Sequence, residues 1–183
     1  MSKNGLILLT PTSVDHTGTS ASISANGSVS FSACSVLSLN DVFTSNYDNY
    51  RVIIGPVTAT TSATILYRLR VSGSDNSTAS SYVDEQLVAS GTDVTGARYS
   101  RDSGYVARAS SSSTPSGFIV DFYGPYLTQP TAWRSVSADA FNSARIVDLA
   151  GTHNQSSAYD GFTLFSNASQ NVSGRVAVYG MRK

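Results

Sequence analysis

The chain has 183 residues, of which 40% are hydrophobic and 13% charged, enough to bury one good core and short for two domains. Its 12 basic and 12 acidic residues cancel, so there is no electrostatic footprint for nucleic acid or for an anionic membrane surface. Lys3 and Lys183 are the only lysines, Glu85 is the only glutamate, and serine and threonine supply about a quarter of the chain, a composition that excludes an all-α fold and suits pleated, half-buried surfaces.

The opening apolar run Leu6, Ile7, Leu8, Leu9 is too short for a signal-peptide core or a membrane span, so the chain is expected to be made in the cytoplasm without membrane insertion. The stretch that follows, Thr10 to Thr19, carries little apolar material. Residues 1–27 therefore read as an extended N-terminal arm, and residues 28–183 as a single domain. The four apolar residues need a partner surface, and Pro11 limits their continuation as a central strand. Strand addition to a neighbouring subunit or another protein would bury them.

Period-two alternation recurs along the whole chain, with a weak run as early as 20–24, in runs of five to nine residues between Gly, Ser, Asn and Asp clusters, giving roughly ten strands. Cys34 lies in such a run and reads as a small buried hydrophobe. Tyr50, Val52 and Ile54 share one face, as do Ile65, Tyr67, Leu69 and Val71, with Arg68 and Arg70 facing out. Asn46 to Tyr50 reads as a turn whose tyrosines anchor the following strand. Later runs place Phe118, Val120, Ile146, Val176 and Val178 inward. They leave Ile53, Ile119, Val147 and Leu149 on opposite faces, to be buried between subunits or under a loop. Loops are expected at 72–77, 109–117 and 166–171. With no helical crossover, the pattern predicts an all-β antiparallel sandwich of jelly-roll-like topology.

The reactive side chains do not group into a constellation. His16 and His153 stand alone, with no second ligand at metal spacing, and both read as residues of solvated loops. No G-x-S-x-G elbow is present. Asp84 and Glu85, adjacent on a strand, point to opposite faces and cannot flank one glycosidic bond. Five Asn-x-Ser/Thr sequons, among them Asn76, read as coincidence in a chain this rich in hydroxyls. No catalytic residue, metal or cofactor is therefore expected. One cluster suggests binding: Tyr123, Tyr126 and Trp133 surround two prolines at a strand exit, as a platform for a host surface glycan or as packing at a sandwich end or subunit interface.

Five segments taken together resemble a known module. They are Val42 to Ile54, Tyr67 to Gly73, Phe118 to Pro125, Tyr159 to Leu164, and the terminus Gly174 to Lys183 with its G-x-x-x-V-Y-G-x-R pattern. In this order they resemble a β-rich module of tailed bacteriophages, found in minor tail and tail-fibre proteins and other virion proteins, especially of marine and cyanobacterial phages. The resemblance implies a non-enzymatic structural protein on the virion exterior, a tail appendage or a capsid decoration protein, in contact with other virion proteins. In many relatives the module ends a longer protein. Closing edge strands into a ring favours a homotrimer.

Overall fold

A computed structural model describes residues 5–110, 115–139 and 145–183. Residues 1–4, the middle of the expected serine loop at 111–114, and Ala144 of the run at 144–149 lie outside the described residues. The strands follow in order: β1 (Leu6–Leu9), β2 (Ser13–Ile23), β3 (Val29–Asn40), β4 (Asn49–Ala59), β5 (Ala63–Val71), β6 (Ser74–Asp75) and β7 (Tyr82–Ser90). Then come β8 (Asp93–Arg101), β9 (Gly104–Ala109), β10 (Ser116–Tyr123), β11 (Gln129–Asp139), β12 (Arg145–Ser157), β13 (Gly161–Ser166) and β14 (Val172–Met181). One 3-10 turn, Asn167–Ser169, interrupts them. No helix among the described residues is long and apolar enough to cross a membrane.

Every strand pair is antiparallel, in the order β6-β5-β13-β3-β14-β4-β10-β11-β12-β7-β8, with β1 beside β14, β2 beside β3 and β9 beside β5. The sheet curls on itself into a sandwich of jelly-roll-like character. The smaller layer is β2-β3-β13-β5-β9, and the larger runs from β1 through β14, β4, β10, β11, β12 and β7 to β8. The layers meet through aromatic side chains. Phe43 lies 4.6 Å from Tyr50 and 5.7 Å from both Phe122 and Phe162. Tyr67 then joins Phe122 (5.0 Å), Trp133 (5.4 Å) and Tyr82 (5.7 Å) edge-on. Edge-on geometry places the positive ring rim against a negative ring face and adds to the area buried.

The sequence had to make room for these rings. A Cβ on Gly104 would fall inside the Tyr67 ring, and one on Gly151 inside the Trp133 indole. Cys34 is buried as expected, its thiol pushed up in pKa by burial. Tyr50 anchors the turn before β4: its hydroxyl accepts from the Thr44 amide and bonds back to the Thr44 carbonyl, both at 2.7 Å.

Three expectations of facing are corrected. Ile146 is 60% exposed, whereas Val147 and Leu149 are buried. In β12 the alternation is apolar on both faces, so composition did not show which face meets the core. Val71 is exposed and Arg70 buried, because the chain reverses at Ser72–Gly73 and lays β6 beside Arg70. The Arg70 guanidinium donates to Ser38 Oγ (2.8 Å), Thr163 Oγ1 (2.7 Å), Asp75 Oδ1 (2.7 Å) and the Gly73 carbonyl. A buried charge is tolerated when it is paired in this way.

The N-terminal segment is also corrected: it is not a free arm. β1 pairs in register with β14, Leu6 opposite Met181 and Leu9 opposite Val178, and β2 lines the edge of β3. The strand addition expected in trans takes place within the chain.

Candidate functional site

The three aromatics proposed from sequence do not converge. Tyr123 ends β10 on the solvent face, 40% exposed, and Tyr126 sits in the following turn at 37%. Trp133 is 1% exposed. Along β11 the residues Trp133, Ser135 and Ser137 face the core while Arg134 and Val136 face solvent, so period two carries the indole inward. Tyr67 and Tyr82 close over it, and no sugar ring can stack there. The glycan reading is withdrawn for Trp133, and its packing explains the residue.

His153 is likewise corrected: it lies on β12 and is fully buried rather than solvated. Its ring stacks on Tyr82 at 4.1 Å, and Nε2 lies 2.6 Å from the Tyr159 hydroxyl, which accepts from the Asn76 side-chain amide at 2.9 Å. One of the two donates to the other, and either direction suits a neutral imidazole. Burial pushes the His153 pKa down to about 4. With no access to solvent, this relay is a structural one. It also occupies the Asn76 side chain, the acceptor atom of one sequon.

Asp84 and Glu85 diverge as expected, Asp84 to the buried face and Glu85 to solvent. Asp84 accepts from Gln86 Nε2 (2.8 Å) and Arg101 Nη2 (3.3 Å), and burial raises its pKa.

The solvent face of the larger layer holds what sequence reasoning described only as apolar residues on the wrong side. Strand registers align them in rows. One row runs Arg51, Asp121, Arg134 and continues diagonally to Asp148. Arg51 grips Asp121 through two bonds of 2.7 Å, and Arg134 grips Asp148 at 3.1 and 2.6 Å. Both arginines are held more firmly protonated by these hydrogen bonds. The neighbouring row is Ile53, Ile119, Val136, all exposed, and it passes through Ala138 to Ile146 and on to Val94. This apolar belt crosses six strands from β4 to β8, about 24 Å at ordinary strand spacing. At its Ile53 end it borders a shallow depression with Pro56 and Gly117. The signal in the sequence was the pair Ile53 and Ile119, each opposite in facing to a core neighbour.

No protein-family model matches the chain, and no curated protein matches it. Among solved structures, a Bacillus licheniformis β-glucanase aligns over 99% of this chain and 100% of its own at 9% identity, with a TM-score of 0.31. The binding domain of botulinum neurotoxin serotype G aligns over 100% of this chain and 45% of its own at 9% identity, with a TM-score of 0.23.

Proposed function

We propose that this chain is a non-enzymatic structural β-module on the exterior of a tailed-phage virion, assembling as a homotrimer through the solvent face of its larger layer. The observation that carries the assembly reading is the apolar belt Ile53, Ile119, Val136, Ile146. Isolated soluble domains rarely leave such a contiguous stripe to water, and a stripe beside polar residues marks an interface. The adjacent Arg–Asp ladder supplies alternating charge, so a second copy can meet it without burying unpaired charge. Support for the virion assignment is the ordered resemblance of the five segments quoted above to phage tail and tail-fibre modules. A tail appendage fits that resemblance best; capsid decoration is the second position for the same module.

Sedimentation equilibrium of the purified chain is expected to give three times the 19.3 kDa chain mass, and Ile119→Asp to give a folded monomer by circular dichroism. A monomeric parent protein would end the assembly reading. Immuno-gold labelling of phage particles tests the virion assignment by itself.

A further inference from the structure

The larger layer extends beyond the smaller one. β9 covers β11, where Ser135 Oγ donates to the Val106 carbonyl at 2.8 Å, and the inner face of β7 stays buried from Tyr82 to Gln86, but β8 and the end of β7 are open. There they form a groove of about 330 Å³, the size of a small-ligand site. Its floor carries Gln86 and Thr95, and Thr64 stands on the β5 side. Three arginines line it: Arg145 near one end, Arg101 near the other, and Arg108 on the β9 wall.

The registers space these charges. Arg145 stands opposite Ser90 and Arg101 opposite Tyr82, so their backbones are separated by eight residues of β7, about 27 Å at the strand rise. Arg101 is held in place. Its guanidinium lies 4.0 Å from the Tyr99 ring centre and 5.7 Å from that of Tyr105, and one nitrogen is fixed on buried Asp84. A cation pinned by ring faces and a buried carboxylate loses little freedom when a ligand arrives.

We infer that this groove binds an extended anionic saccharide, with the arginines taking carboxylates or sulfates along it and the threonine hydroxyls taking sugar hydroxyls. The separation of the Arg145 and Arg101 backbones favours an extended ligand over one compact anion held by all three cations. Planar guanidinium groups bind carboxylate and sulfate through paired donors. The Thr95 and Thr64 hydroxyls on the floor and wall suit a hydroxyl-rich ligand, and Tyr99, 43% exposed, offers apolar surface. The inference does not depend on the assembly reading, because the groove lies on the opposite face of the sheet from the belt.

Isothermal titration of the full chain, and separately of its Ile119→Asp form, with tetragalacturonate is expected to show binding that weakens as salt rises. The uncharged maltotetraose should bind at least about tenfold more weakly, and Arg108→Ala/Arg145→Ala should lose at least about tenfold for the acidic sugar. Circular dichroism and thermal melting of the double variant confirm its fold, and Arg101→Lys, which keeps the charge on Asp84 but loses the planar stack, serves if the double variant melts early. Equal affinity for the two sugars, or unchanged affinity in the folded variants, overturns the inference. Tighter binding of a pentaglutamate peptide than of tetragalacturonate also overturns it, assigning the groove to acidic peptide.

Discussion

The two ends of the larger layer differ in what lies over them. From β4 to β11 the smaller layer covers the inner face, and that face carries Val52, Ile54, Phe118, Val120, Phe122 and Trp133, all buried. At β8 the cover ends, and the same face carries Thr95, Ala97 and Tyr99, with the strand exposed along nearly its whole length. One sheet thus serves two purposes. Where it is covered it is a core, and where it is not it is a binding surface built on a rigid frame.

The largest effect expected from this contrast is in side-chain truncation. Trp133→Ala removes an indole that Tyr67, Tyr82 and Gly151 enclose, and should cost about 3–5 kcal/mol in chemical denaturation through lost burial and the cavity left behind. Tyr99→Ala, in the uncovered end, should cost less than about 1 kcal/mol. Similar losses at the two sites would erase the distinction.

The second effect is in pH. His153 has its folded pKa lowered to about 4 from an ordinary 6.5, so between those values the unfolded chain binds the proton and the folded one does not. Its contribution, on the order of 3 kcal/mol, is complete above pH 6.5 and is lost as pH falls towards 4. Asp84 acts in the opposite sense. Burial raises its folded pKa above 3.8, so the stability linked to it is present at low pH and lost as pH rises through the raised value. Urea denaturation midpoints across this range should flatten in His153→Gln and steepen in Asp84→Asn, if the latter keeps its fold. An unchanged slope in His153→Gln would place the acid sensitivity elsewhere.

A smaller effect concerns the solvent face. Val136→Ser on the belt should leave monomer stability within about 0.5 kcal/mol while weakening self-association, read as a rise in the dissociation constant by sedimentation. A loss of stability with unchanged association would mean that the belt serves the fold alone.

The same contrast explains what could be read from the sequence. Where the layers overlap, alternation is a direct consequence of one wet and one dry face, and Val52, Ile54, Tyr67, Leu69, Phe118, Val120, Val176 and Val178 were assigned inward correctly. Where the cover stops, neither face is dry. β8, Asp93–Arg101, has no apolar period, and it escaped notice. β12 shows a second kind of failure: Ile146 belongs to the belt and Val147 to the buried face, so both faces of the strand look apolar. Trp133 was left between platform and packing because a proline-rich strand exit with two tyrosines suits both, while the glycine that accommodates the indole lies eighteen positions away on β12. Most of β2 was missed because it is largely polar, an edge whose pairing to β3 depends on backbone bonds more than on side chains, and β1 was read as a strand but given the wrong partner. Arg101, Arg108 and Arg145 lie far apart along the chain, and only the strand registers bring them to one groove.

Amide hydrogen exchange, read by mass spectrometry on the folded protein, tests the division of the sheet most directly. Amides of β4, β10 and β11 are expected to exchange only with global unfolding, and those of β8 through local opening at least about tenfold faster. Protection of β8 equal to that of β10 would contradict the account, since an uncovered edge would then be as stable as the core.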